Sequence, residues 1–223
     1  MPTGDSSHAQ CTVRAGGTEE EGICREGKQS VMELRLCEEP ADDAETLKRY
    51  GTVPIAFRVT SRLAVRPVES GLGGLLLAEE PVAAPYVKDY DALDGEGPTR
   101  WRDHFDLSRW GVIAAFDGAA ARVGGAVLAW DTPGGDMLEG RRDLAVLWDL
   151  RVRPEYRGQG VGAALFAAAA AWARARGCRE LKIETQNVNV PACRFYARQG
   201  SVLRTIRQGA YPDLPDEVQL LWY

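Results

Sequence analysis

The chain has 223 residues, 45% of them hydrophobic and 26% charged, which suits one soluble globular domain with a sizeable core, or one domain plus a tail. A net charge of −5 and a sequence pI of about 5.2 argue against a nucleic-acid binder, which needs a basic surplus, and fit a cationic small partner. Five cysteines without a CxxC pair, and only two histidines, His8 and His104, argue against a zinc or other metal site and for free thiols in a reducing cytoplasm.

Residues 1–30 are polar and hold almost no large apolar side chains, so they are expected to form a disordered or loosely packed tail ahead of a single domain over 31–223. No basic start leads into an apolar run, so no signal peptide is expected. The longest apolar stretch, Val161 to Ala173, is too short to span a bilayer. A cytoplasmic protein without membrane or nucleic-acid partners is expected, with a homodimer left open.

Val31 to Leu36 alternates as a first strand, and Pro40 to Tyr50 reads as a short helix ending at Gly51. The stretch 52–77 reads as short strands and loops. The stretch 79–106 holds eight Asp or Glu against three Lys or Arg, with Asp89 among the acids. It reads either as a solvated surface loop with one short helix or as a loop facing a substrate.

From Trp110 the pattern becomes regular. Gly111 to Phe116 and Val123 to Trp130 form a predicted hairpin about Asp117-Gly118, followed by a strand from Leu144 to Arg153. A helix spans Gly160 to Arg176, closed by Gly177. A strand over Leu181 to Thr185, a helix over Pro191 to Gln199, and strands over Val202 to Arg207 and Glu217 to Tyr223 complete a mixed α/β layer fold.

The central signal is the run from Val152 to Gly162, in which a strand enters a glycine-rich turn that opens into a helix. Backbone N–H groups of Gly158, Gln159, Gly160, Val161 and Gly162 can converge there on an anion, and the helix start adds partial positive charge. Glycine keeps side chains from blocking the approach, and Arg157 can add a charge-assisted contact. The run lacks the Gly-Lys-Ser/Thr of a P-loop and the spacing of a dinucleotide fingerprint. In the helix beyond it, Leu165, Phe166 and Trp172 read as core.

Arg157-x-x-Gly160-x-Gly162 resembles the pyrophosphate loop of GNAT acetyltransferases, and Asn189-x-x-Ala192 followed by Tyr196 is similar to that superfamily's second signature. The string Glu184 to Ala192, the segment Trp148 to Val152 and the pair Ala210-Tyr211 resemble streptothricin acetyltransferases in particular. The likeness covers roughly residues 110–223, with Ser201 standing where the family usually has Phe. It implies the GNAT acyl-CoA N-acyltransferase fold: a mixed, mostly antiparallel α/β (α+β) sheet flanked by helices, with parallel strands splayed at the cofactor. It also implies acetyl-CoA as co-substrate and direct transfer of acetyl to a primary amine. A streptothricin-like antibiotic is the most specific acceptor; polyamines, aminoglycosides and protein amines are alternatives, and a non-catalytic acyl-CoA sensor is an alternative of another class.

By the same resemblance, Leu150, Val152 and Arg153 would contact the pantetheine arm, and Asn189 would hold it or cap the last helix. Tyr196 would lie near the sulfur and protonate the departing thiolate. An alkylammonium, with a pKa of about 10.4, needs a base. Asp149 is the first candidate and Glu184 the second; either could instead bind a substrate ammonium, as could Asp89. Strand alternation would set Trp148, Leu150 and Val152 on one face and Asp149 and Arg151 on the other. An Asp149–Arg151 salt bridge is the plain structural alternative. Cys193, near a helix start, is expected to pack rather than react.

Overall fold

The computed structural model describes residues 11–14, 33–93 and 96–223. Of the expected tail, Cys11–Arg14 (β1) pairs antiparallel with the next strand, and the rest of residues 1–30 lies outside the described residues. That next strand, β2 (Glu33–Pro40), runs further than its alternation suggested because Pro40 still sits opposite Gly111. Helix α1 (Ala44–Gly51) therefore starts later than expected, where the Asp43 carboxylate accepts from the N–H groups of Glu45 and Thr46 at 3.2 Å each. Its Leu47 and Tyr50 are fully buried.

The stretch expected to be short strands and loops is one long hairpin, β3 (Phe57–Pro67) with β4 (Leu75–Lys88), standing apart as a two-stranded sheet. The first ten residues of the acidic stretch are thus strand, not loop. Pro81 and Pro85 disguised it in the sequence, since proline removes a ladder donor. A two-stranded ribbon tolerates them: β4 pairs with a strand on one side only, and the register shifts between Val59 and Ser61, which faces Pro81.

The remaining elements are α2 (Trp101–His104), β5 (Gly111–Phe116), β6 (Arg122–Trp130), β7 (Leu144–Val152), α3 (Val161–Ala175), β8 (Glu180–Gln186), α4 (Val190–Arg198), β9 (Leu203–Arg207) and β10 (Gln219–Trp222). One sheet runs in the order β1-β2-β5-β6-β7-β8-β10-β9. All neighbours are antiparallel except β7 and β8. This is the mixed, mostly antiparallel sheet flanked by helices that the sequence predicted. No described helix is long and apolar enough to cross a membrane.

Helix α3 lays Leu165, Ala169 and Trp172 on one face of the sheet, against Ala126, Leu128, Ala145 and Leu147. Its alanines let it lie close: a Cβ on Gly111 would come within 2.5 Å of the Trp172 indole. Burying side chains of the Leu165 kind contributes about 1.5–3 kcal/mol each. The opposite face carries α1, α2 and an aromatic group in which the Trp148 ring lies 4.8 Å from Trp110 and 5.0 Å from Phe105.

Two irregularities position the site. Parallel pairing of β7 with β8 runs from Leu144 opposite Glu180 to Leu147 opposite Ile183, beyond which both strands continue. At the same point β7 carries a bulge toward β6: Leu147 faces Leu128 and Asp149 faces Val127, leaving Trp148 as the extra residue. The expected alternation therefore fails there. Leu150 and Val152 pack on the α3 side, while Trp148 joins the aromatic face, the side on which Arg151 packs over Tyr50.

Asn187 joins the hairpin to the main sheet. Its Nδ2 donates to Leu63 O at 3.0 Å, its Oδ1 accepts from Val218 N at 2.8 Å, and its carbonyl accepts from Leu63 N at 2.9 Å. Replacing Asn187 by Ala strips a partner from Leu63 O and from Val218 N, and should cost about 1–3 kcal/mol in urea unfolding. An unchanged midpoint would show that the hairpin is held by other contacts.

Candidate active site

Where β7 and β8 part, a cleft of about 930 Å³ opens, lined by the glycine-rich turn on one side and by acidic and aromatic residues on the other. In the turn, Gly158 and Gly160 have φ of +75° and +86°, and a Cβ on Gly158 would meet nothing within 4 Å, so the backbone faces open space. Gly160 is the N-cap of α3 and no side chain caps the helix, which leaves its first N–H groups for an anion. Gly162 lines the cleft and also lets α4 approach, since its Cβ would lie 3.4 Å from the Phe195 ring.

Arg157, Leu150, Val152 and Asn189, for which contacts to the cofactor are expected, all line the cleft. Arg157 Nε donates to Val152 O at 3.0 Å, so the arginine braces the mouth of the turn. Asn189 Oδ1 accepts from Ala192 N at 3.2 Å and caps α4. Three residues expected to touch the cofactor do not line the cleft. Arg153 turns away, with its backbone N bonded to Val123 O and its Nε to Arg122 O. The Gln159 side chain folds onto Glu155 O at 2.7 Å. Val161 is buried in the core, which leaves only its backbone for an anion.

Tyr196 is buried against Phe166 and Phe195 and lines the cleft. Burial first, and then the Asp149 charge, push its hydroxyl well above the usual tyrosine range. Cys193, one turn earlier, lies 3.3 Å from Thr185 Oγ1, and burial pushes its thiol up, the opposite of an activated cysteine.

Asp149 lines the cleft, but Arg151 Nε donates to it at 2.6 Å, which is the salt bridge foreseen as the structural alternative. Burial pushes its carboxyl up, and Arg151 opposes this. Glu184, on β8, accepts from the Tyr211 hydroxyl at 2.5 Å, from Gln219 Nε2 at 2.8 Å and from Gln186 Nε2 at 3.4 Å. Asp89 does not line the cleft: its carboxylate accepts from the N–H of Asp91, and Asp91 lines it instead.

Several lining residues escaped the sequence. Glu217 bonds Lys88 at 2.5 Å and the Tyr90 hydroxyl at 2.8 Å, which joins β4 to the start of β10. Tyr211 was visible in the Ala210-Tyr211 pair, but nothing local tied it to Glu184. Glu217 and Asp91 gave no signal, because only the tertiary fold brings them to β8 and β7. Among the described residues no group of three or more His, Cys, Asp or Glu could hold a metal.

A family model described as Acetyltransferase (GNAT) family matches residues 77–200, from within β4 to the end of α4, and so spans the cradle and both splayed strands. The chain belongs to the GNAT acetyltransferase family. Streptothricin acetyltransferase A of Bacillus subtilis (strain 168) is 35% identical over 81 residues, 35% of this chain and 47% of that one. The crystal structure of nourseothricin acetyltransferase is 25% identical with a TM-score of 0.63, covering 85% of this chain and 96% of that one. A candidate streptothricin acetyltransferase from Bacillus anthracis str. Ames, solved in complex with acetyl coenzyme A, is 25% identical with a TM-score of 0.63, covering 85% and 98%. The chain spans about half the length of the curated relatives it matches.

As a GNAT cradle, the turn makes a direct demand on Gly160. A glutamate there brings a side chain in a left-handed backbone conformation, at about 1–2 kcal/mol, and a charge that repels phosphate. Gly160→Glu should remain folded and lose measurable acetyl-CoA binding in calorimetry. Unchanged affinity in the folded variant would place the pyrophosphate elsewhere.

Proposed function

We propose that this chain moves acetyl from acetyl-CoA to a primary amine of a cationic small molecule, with a streptothricin-like antibiotic as acceptor. The cradle supports the donor half: Gly158 faces open space, no side chain among the described residues caps the helix start, and the strands beside it part. The acceptor half rests on Glu184. Asp149 and Asp91 share Arg151, and Glu217 is bonded to Lys88. Among the described residues Glu184 has only neutral donors, which hold its carboxylate in fixed geometry at the cleft without a salt-bridge partner. An acceptor ammonium is its natural counter-ion. Glu184 is therefore a freer anchor than Asp149.

Bound acetyl-CoA supplies a thioester carbon; as the amine nitrogen bonds to it the C–S bond breaks, and the sulfur leaves as a thiolate that needs one proton. Tyr196 donates that proton, and its raised pKa keeps the proton available through neutral and mildly alkaline pH. Glu184 receives the ammonium and takes one proton from it, directly or through a water, and the second proton that the nitrogen loses as the amide forms restores the Tyr196 hydroxyl. Neutralising a cationic antibiotic in this way is a resistance activity.

Thiol release from acetyl-CoA should be fastest with streptothricin in a panel that also holds polyamines, aminoglycosides and a peptide amine. Release with the peptide alone would move the reading to protein acetylation, and release with none would sink it. Tyr196→Phe should keep acetyl-CoA affinity and lose about 10²–10⁴ in kcat. Glu184→Gln should raise the acceptor KM by about 10-fold or more, as expected for a lost charge-assisted contact. In the wild type, kcat/KM should climb with pH as the acceptor ammonium (pKa about 10.4) deprotonates, with no fall from Tyr196 before about pH 10. A descending limb near neutrality would assign the acid to another group.

A further inference from the structure

Arg151 is the cation at which the two halves of the cleft meet. Its side chain is 1% exposed. Nε donates to Asp149 on its own strand at 2.6 Å. The two Nη atoms grip Asp91 in a bidentate pair, at 2.5 and 2.8 Å, and Nη1 also reaches Val53 O at 3.3 Å. The guanidinium carbon lies 5.2 Å from the centroid of Tyr50, a fully buried ring whose hydroxyl has no partner among the described residues.

These bonds tie together β7, the segment after α1 and the stretch that follows β4. Tyr90, Asp91, Leu93 and Gly97 of that stretch line the cleft, without regular structure between Lys88 and Pro98 among the described residues. A planar fork suits this task and an ammonium does not, since one Lys cannot meet two oxygens of Asp91, one of Asp149 and a carbonyl in fixed directions.

We propose that Arg151 is a positioning residue: its grip on Asp91 sets the acceptor wall against the strand that carries Asp149, so acceptor binding depends on it and acetyl-CoA binding does not. This rests on reading the cleft as an acetyl-transfer site. Arginine acts here through Asp91 rather than by touching either substrate. The glycine cradle, built from β7's end and the start of α3, has no bond to Asp91 and should not feel its release.

The test uses the full chain, Arg151→Lys and Asp91→Asn, with three readouts: amide exchange at residues 89–93 and 157–162, acetyl-CoA Kd by calorimetry, and acceptor KM with the best amine of the wild type. In both variants exchange at 89–93 should quicken by about 10-fold or more while 157–162 stays as in the wild type. Acceptor KM should rise by about 10-fold while acetyl-CoA Kd stays within about twofold. Unchanged exchange at 89–93, or Kd and KM moving together, overturns the proposal. If Arg151→Lys fails to fold, Asp91→Asn decides alone, because Asp91 is partly exposed and its amide keeps the shape. If the wild type acetylates no amine, the functional reading fails, and the exchange measurement still decides the positioning.

Discussion

Parallel hydrogen bonding between β7 and β8 lasts four residue pairs and then gives way, and the site is built around that interruption. A sheet that stayed paired would fill the gap with its own ladder. Here the bulge at Trp148 turns β7 at the point where pairing with β8 ends. The strand past the bulge borders the cleft, and β8 carries Glu184 just beyond its last pair. The aromatic face holds Trp148 in place, so packing on one side of the sheet stabilises an opening in it.

Charge is distributed across that opening in a definite way. Buried ions cost several kcal/mol each unless they are well paired, and most carboxylates at the cleft meet this by pairing: Asp149 and Asp91 with Arg151, Glu217 with Lys88. Glu184, half-buried, instead has hydroxyl and amide donors that orient it, and it forms no salt bridge among the described residues. The glycine-rich turn does the complementary job with no side-chain charge, offering backbone N–H groups at a helix start. One end of the cleft thus suits an anion and the other a cation.

The cradle was legible because its chemistry is local: Gly158, Gly160 and Gly162 between a strand and a helix are enough to imply an anion site. Asn189 and Tyr196, which both line the cleft, share that locality, lying seven residues apart as the N-cap and a residue of the last turn of one short helix. What depended on register was not. Nothing in Leu147-Trp148-Asp149 announces a bulge, so the alternation placed Trp148 on the wrong face. The hairpin was hidden by Pro81 and Pro85, which exclude a central strand but not a two-stranded ribbon. Asp89 and Asp91 are indistinguishable by composition; only the position of Arg151 across the fold selects Asp91.

Strand β10 lies between β8 and β9, so the groups that hold Glu184 come from late in the chain: Tyr211 from the loop before β10, and Gln219 from β10 itself. During synthesis the cradle, β7 and β8 emerge well before those partners, while a domain generally folds as one unit. A nascent chain that has reached Gln186 holds the glycine-rich turn and Glu184, but neither α4 nor the Tyr211 and Gln219 donors that orient that carboxylate. The full set of bonds that orients Glu184 therefore forms only once β10 has been made.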